Sequence, residues 1–322
     1  MEQVVLKKGY ALIDVYKMVI EDSLPNISTA QTINAGFSGQ ERVNAYMNDI
    51  KNGSAGYFAM IKNIKTLLEN EISESDLKLW ANFITEPKRV AKSMVLPFRF
   101  VDAWDAVKSL SVNEFKKSIV KKALERAFAL SVNNTNIIED GEKIAVLLDE
   151  SYSMNGKPFK IGKTLAAALK VGLNPDDCLF YTWADTCTLR DVNNMSSFDF
   201  INSLNCSGGG TDVSAPLNKL IKTKTSVDKI IILSDMQMYD NGFGNLGNQV
   251  KFHLDIYKKD VNPDVKVLFW NLEGYSGGSP IDLEKTSEVF EISGFSDKLL
   301  ELAPKLWKDK DFLIKEIDNI TL

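Results

Sequence analysis

The run Ile144-Ala-Val-Leu-Leu-Asp149 constrains this chain more than any other stretch. Unbroken apolar residues cannot alternate between a core and a solvent face. The run therefore predicts a strand buried on both sides, as in a parallel sheet. It ends abruptly in Asp149-Glu-Ser151-Tyr-Ser153. Polar side chains at that point stand on the loop at a strand's carboxyl end, where open α/β sheets place their ligands. One carboxylate and two hydroxyls at alternate positions are hard oxygen donors. They suit Mg²⁺, or Mn²⁺ or Ca²⁺ in its place.

Two later segments complete the set. Gly208-Gly-Gly-Thr211-Asp212 offers a hydroxyl on a glycine loop, and Ile230-Ile-Ile-Leu-Ser-Asp235 is a second buried strand ending in a carboxylate. Together these segments resemble the von Willebrand factor A domain and its metal-ion-dependent adhesion site. Asp149, Ser151, Ser153, Thr211 and Asp235 fall on that family's five positions, in order. The resemblance implies an ion held by the hydroxyls of Ser151, Ser153 and Thr211, and by Asp149 and Asp235 directly or through water. Asp212 would orient the loop. A sixth place would accept an acidic side chain from a protein partner, or water when empty. The competing structural use has Ser151 and Ser153 capping the next helix, with Asp235 in a turn.

The rest of the chain divides by its periodicity. Up to about residue 135 the apolar spacing is helical. Helices are expected at Tyr10–Ile20, from Tyr57 through Leu68, at Ser75–Ile84, Phe100–Leu110 and Phe115–Leu130. A loop is expected within the glycine-punctuated stretch Ser28–Gly53, and Pro87 is expected beyond a helix end. Ser131–Gly141, rich in Asn, reads as a linker. Beyond it strands alternate with helices: strands at Ile144–Leu148, Cys178–Thr182, near Thr188, Ile230–Leu233, Val265–Trp270 and Val289–Ile292. The helices are expected at Ile161–Val171, Phe198–Leu204, Ser214–Ile221, Gln249–Tyr257 and Lys298–Leu302, with an end cap at Phe312–Ile320. The expected fold class is a short helical domain, residues 1–135, followed by a doubly wound, mainly parallel A-type domain, residues 142–322.

Net charge is -5 over 322 residues, so the whole chain is no general binder of polyanions. The charge is unevenly spread. Residues 1–135 carry 18 Lys and Arg against 15 Asp and Glu, a balance of +3; the remainder carries 20 against 28, or -8. A nucleic acid would therefore meet the N-terminal part. The three cysteines, Cys178, Cys187 and Cys206, make no CxxC pair. With no apolar run near the ~18 residues of a membrane helix and no signal-peptide pattern, a reducing cytoplasm is the expected compartment.

The N-terminal part carries a second resemblance. Ala59-Met60-Ile61-Lys62-Asn63-Ile64, followed by Arg89-Val-Ala-Lys-Ser-Met-Val-Leu-Pro97-Phe98-Arg99-Phe100, is similar to the TROVE module of Ro autoantigen proteins, as are Trp183-Ala-Asp185 and Gly294-Phe295-Ser-Asp297 to other Ro landmarks. Ro proteins join a ring of helical repeats to an A-type domain, and the ring binds single-stranded ends and small structured RNAs. The resemblance thus implies an RNA-binding ribonucleoprotein component. Leu96 stands where that family has a histidine, and only about 135 residues precede the A-type segment here. Candidate phosphate contacts are Lys88, Arg89, Lys92, Lys117 and Lys121, which otherwise form a solvated face. The alternative is a structural or assembly protein, of a phage or virus, that keeps the A-type domain for protein binding without RNA.

Two nucleotide-like motifs fail on spacing. Gly156-Lys-Pro-Phe-Lys-Ile-Gly162-Lys-Thr164 has five residues between its first glycine and Gly-Lys-Thr where a phosphate loop needs four, and Pro158 removes an amide donor. Gly242-Phe-Gly-Asn-Leu-Gly247 does not directly follow its strand, as a dinucleotide loop must. The single histidine, His253, sits mid-helix, so no Ser–His–Asp set can form. No catalytic residues are assigned, and binding is expected in place of turnover.

Overall fold

The computed structural model describes residues 37–132, 141–173, 175–192, 194–238, 246–273, 288–294, 297–309 and 312. The expected helix at Tyr10–Ile20, most of Gly242–Gly247 and nearly all of the Phe312–Ile320 cap lie outside them. The chain forms two compact units, Met1–Ser131 and Val132–Leu322.

The first unit is helical throughout its described length. Helix α1 spans Gly39–Asn52, within the stretch Ser28–Gly53 whose first part lies outside the described residues. Val43, Tyr46, Met47 and Ile50 recur at helical spacing and are buried, while the glycines fall at its ends. Gly53 closes it at φ 75°, in the left-handed region. The expected single helix at 57–68 is two, α2 (Tyr57–Lys62) and α3 (Ile64–Glu69). The break is at Asn63, which is buried and turns its Nδ2 back to the carbonyl of Ala59 at 2.9 Å. A side-chain amide bonding locally in this way competes with the helical ladder.

Helix α4 (Glu74–Ile84) is capped by the Ser73 hydroxyl, which accepts from the Asp76 amide at 3.1 Å. Pro87 lies beyond its end, but it also opens a helix that periodicity did not indicate, α5 (Pro87–Ser93). Proline's fixed φ suits the first helical position, where its missing N–H costs nothing. Pro97 opens α6 (Pro97–Lys108) in the same way, and α7 covers Glu114–Val132. Trp80 is fully buried among these helices and donates from Nε1 to the Met60 carbonyl at 3.0 Å. The Tyr57 hydroxyl donates to the Ile84 carbonyl at 2.7 Å, and Lys116 Nζ to the Ile72 carbonyl at 2.7 Å.

The second unit is a six-stranded sheet ordered β3-β2-β1-β4-β5-β6. The strands are β1 (Ile144–Asp149), β2 (Cys178–Trp183), β3 (Cys187–Arg190), β4 (Lys229–Ser234), β5 (Lys266–Asn271) and β6 (Val289–Ser293). All neighbours are parallel except β3, a short antiparallel edge strand on β2. Every residue of β1 and of β4 is buried, which accounts for their unbroken apolar runs.

Helices cover both faces. Ala145, Leu147, Ile230, Ile232, Val267 and Phe269 share a core with residues of α10 (Ser214–Lys222) and α11 (Leu246–Asp260). Their alternate neighbours face α8 (Lys157–Gly172), which comes so close at Gly162 that a Cβ there would lie 2.6 Å from Leu148 Cδ1. Gly156–Thr164 is therefore the loop and first turns of a packed helix. Thr164 spends its hydroxyl on the Lys160 carbonyl at 2.8 Å and not on a phosphate. Helix α9 is Ser197–Ser203. Helix α12 (Asp297–Lys308) runs further than periodicity indicated. Lys266 Nζ donates to its Trp307 carbonyl at 2.7 Å, and Lys229 Nζ lies 4.4 Å from the Trp307 ring centroid. The sheet order puts β2 on one side of β1 and β4 on the other. Their crossovers run in opposite directions, and the crevice at the carboxyl ends of β1 and β4 is the topological switch point.

Candidate metal centre

The switch point carries Asp149, Ser151, Ser153 and Asp235, with the glycine loop tied beside them. Asp149 is the last residue of β1 and Asp235 follows the last residue of β4; both are buried, as are Ser151 and Thr211. The local fold fixes Asp149 tightly. Its Oδ1 accepts from the Ser151 amide at 2.9 Å, and its Oδ2 accepts from the Ser234 hydroxyl at 2.6 Å. Ser234, on β4, in turn accepts from the Met236 amide at 3.0 Å. Met236 has φ 63°, a left-handed conformation that a non-glycine residue adopts only under tertiary constraint. That turn sets Asp235, whose Oδ1 accepts from the Gln237 amide at 3.0 Å.

The hydroxyl side of the site is equally specific. Ser151 Oγ and Ser153 Oγ lie 3.3 Å apart across the short turn Tyr152–Met154. The Asx-type turn at Asp149 and this turn bring both hydroxyls to one side of the loop. The glycine loop is tied to them by the Tyr152 amide donating to the Gly209 carbonyl at 3.2 Å and the Gly208 amide donating to the Glu150 carbonyl at 3.1 Å. Thr211 is buried although its neighbours Gly209 and Ser207 are exposed. Asp212 bonds forward instead, its Oδ1 accepting from the Ser214 amide at 2.9 Å and hydroxyl at 2.6 Å at the start of α10.

Two buried carboxylates meet here. Burial pushes Asp149 up to about 6 from its ordinary 3.8. Hydrogen bonds from Ser234 and Ser151 oppose the rise, and the nearby Asp235 charge adds to it. Asp235 Oδ2 is buried with no hydrogen-bond partner among the described residues. A buried carboxylate oxygen without a donor costs free energy unless a cation or water meets it. Two carboxylates and three hydroxyls fit an oxygen-preferring divalent ion, the donor set the sequence suggested. No cluster of three or more His, Cys, Asp or Glu suited to a metal occurs among the described residues.

Sequence reasoning missed the supporting residues. Ser234 was legible only as a strand residue, yet it holds Asp149. Glu150 is buried, with its Oε2 3.4 Å from Arg190 Nη2, while Arg190 Nε donates to Thr182 Oγ1 at 2.8 Å. Asp185 reaches the glycine loop, its Oδ2 accepting from the Gly210 amide at 2.9 Å. These are tertiary contacts; of the residues that make them, only Asp185 stood in a motif the sequence offered, and that motif did not state its role. His253 lies on α11, with Nδ1 buried; burial lowers its pKa, and the Asp212 charge opposes this.

The candidate phosphate contacts are placed unevenly. Lys88 and Lys92 are exposed one turn apart on α5. Arg89, between them, is ion-paired with Glu86 and lies 4.6 Å from the Phe83 ring centroid. Lys117 on α7 is 14% exposed and donates to Glu114 Oε1 at 2.9 Å, and Lys121 is half-buried a turn later.

Residues 47–166 match the family model of the TROVE domain. The match runs from α1 through β1 into α8, so it takes in Asp149, Ser151 and Ser153 and stops before Thr211 and Asp235. The fold of the chain is that of the Ro (RSR) protein of Deinococcus radiodurans, which it matches with TM-score 0.61 at 17% identity over 92% of its length. The chain spans 60% of the length of that Ro structure. Weaker likenesses are to an aerotolerance-related membrane protein of Bacteroides fragilis, with TM-score 0.34, 18% identity and coverage of 51% of this chain and 88% of that one. Proximal thread matrix protein 1 of the mussel byssus follows, with TM-score 0.35, 19% identity and coverage of 62% and 52%. No curated protein sequence matches the chain. No helix among its described residues is long and apolar enough to cross a membrane.

Proposed function

We propose that this TROVE-domain chain is a Ro-like, RNA-binding ribonucleoprotein component whose second unit captures a protein partner through a divalent ion. It works in the cytoplasm and turns over no substrate. The observation that carries the metal half is the pair of buried carboxylates at adjacent strand ends, one of them with an oxygen that meets no donor. Ser151, Ser153 and Thr211 would supply hydroxyls to Mg²⁺, and Asp149 and Asp235 would supply charge directly or through water. An ion so held would supply positive charge for a carboxylate from the partner. The hydrogen bonds from Ser151 and Ser234 fix Asp149 for it, and binding through the ion would require no acid or base.

The RNA half is supported by the TROVE match and by the exposed Lys88 and Lys92 on α5. Lysines on one helix face contact phosphates without reading sequence. The test is to purify the protein, sequence any nucleic acid bound to it, and measure its thermal midpoint with Mg²⁺ and with EDTA. Ion binding to the native state alone adds about 2.7 kcal/mol at a hundredfold excess over Kd, and Asp149→Ala is expected to abolish the effect. A midpoint indifferent to Mg²⁺ and EDTA overturns the metal half. Purified protein free of RNA and without affinity for it overturns the RNA half and favours an assembly protein that uses the second unit alone.

A further inference from the structure

The Gly208–Asp212 loop poses a physical problem. Three consecutive glycines have the largest conformational freedom to lose, and Gly208 and Gly209 hold φ at 77° and 93°. Gly209 is exposed and Gly208, Gly210 and Asp212 are half-buried, yet Thr211 is 4% exposed. Something must hold one residue of a glycine-rich loop in a buried position. The turn after β2 does this from two sides. Asp185 Oδ2 accepts from the Gly210 amide at 2.9 Å, and the Ala184 carbonyl accepts from the Asp212 amide at 3.2 Å. These two bonds bracket Thr211, one on the residue before it and one on the residue after. The approach is also close: a Cβ on Gly209 would lie 2.8 Å from Asp185 Oδ2 and 3.8 Å from the Ala184 Cβ. Glycine at 209 is thus required twice, by its backbone conformation and by the carboxylate that approaches it.

We propose that Asp185 is a positioning residue for the metal centre: its carboxylate clamps the glycine loop so that Thr211 presents its hydroxyl to the ion. The inference rests on the divalent-ion reading of the site. Asp185 is not itself one of the five candidate ligands; it acts through the Gly210 amide. The tripeptide Trp183-Ala-Asp185 thereby gains a mechanical role, linking the end of β2 to a ligand that arrives more than twenty residues later. Residues that orient metal ligands from outside typically account for about 10–100-fold in affinity.

The test uses the full chain and two independent readouts. The first is hydrogen–deuterium exchange of the segment spanning residues 206–213, which follows the clamp with or without an ion. The second is Mn²⁺ affinity, followed by the electron paramagnetic resonance signal of the free ion. Asp185→Ala is expected to speed exchange in the segment about fivefold, as for the removal of one hydrogen bond, and to weaken Mn²⁺ binding at least about tenfold. Asp185→Asn keeps an oxygen acceptor and is expected to restore both. Gly209→Ala is expected to reproduce the weakening, and combining it with Asp185→Ala to add little further, because both act on one junction. Unchanged exchange in Asp185→Ala overturns the clamp. Faster exchange with unchanged Mn²⁺ affinity overturns its role at the site. If the wild-type protein binds no Mn²⁺, the divalent-ion reading itself fails, and the role of Asp185 there fails with it, while the exchange data still decide whether the clamp exists.

Discussion

Replacing Asp149 by Asn isolates the electrostatic cost of the metal-free site. Burial raises the Asp149 pKa from 3.8 to about 6, at a carboxyl with no solvent exposure. At about 1.4 kcal/mol for each tenfold change in proton affinity, keeping Asp149 charged at pH 7 costs the fold about 3 kcal/mol. The sign is that of a raised carboxyl: the folded state binds the proton more tightly than the unfolded chain, so ionisation at neutral pH destabilises. Asn removes this charge at nearly the same volume. It keeps an oxygen for the Ser151 amide, but its amide nitrogen must face the Ser234 hydroxyl, which now donates to Asp149 Oδ2. That rearrangement forfeits about 1 kcal/mol. The net gain is about 2 kcal/mol without metal. For a unit of roughly 190 residues this raises the thermal midpoint by about 4–8 °C. The assay is thermal unfolding at pH 7 in EDTA and again in Mg²⁺. The variant should unfold later than wild type in EDTA and show no further gain from Mg²⁺. A variant less stable than wild type in EDTA, or one still stabilised by Mg²⁺, refutes the reasoning.

Three further outcomes follow from other parts of the molecule. Charge reversal at the exposed Lys88 and Lys92 should weaken RNA binding and flatten its salt dependence by about 0.7 for each phosphate released, whereas reversal at the ion-paired Lys117 should do less, as filter binding across salt concentrations would show. Gly162→Ala drives a methyl to 2.6 Å from Leu148 Cδ1 and should destabilise by about 1–3 kcal/mol despite the better helix propensity of alanine; urea unfolding measures it. The Cys178 thiol, which burial pushes up to about 12, should resist alkylation at pH 8 in the native protein and react promptly in denaturant, a contrast that peptide mass spectrometry resolves.

The second unit was legible in sequence because its central strands are buried on both faces. Ile144–Leu148 and Ile230–Leu233 admit no polar residue until the chain leaves the sheet, and there the ligand candidates stand. The first unit was less legible for local reasons. Glycines at 36, 39 and 53 made Gly39–Asn52 look irregular, although Gly39 and Gly53 mark its ends. Asn63 breaks a periodic stretch into α2 and α3 by bonding to Ala59, a choice that apolar spacing does not record. Pro87 was readable as a stop, but its equal fitness as a first helical residue is what produces α5. The roles of Ser234 and Asp185 were not legible, although Asp185 stood in the Trp183-Ala-Asp185 landmark, because their partners lie 85 and 25 residues away. Lys117 shows the converse: its spacing from Lys121 suggested a shared basic face, and its pairing with Glu114 places it largely under cover.

The central claim is that Asp149, Ser151, Ser153, Thr211 and Asp235 hold one divalent ion. The most direct measurement is anomalous diffraction from crystals of the protein soaked in Mn²⁺. The account predicts a single strong anomalous peak at the carboxyl ends of β1 and β4, about 2.1 Å from the hydroxyl oxygens of Ser151 and Ser153. It also predicts that Asp149→Ala crystals lack that peak. An empty switch point, or a peak there that survives in Asp149→Ala, would contradict it.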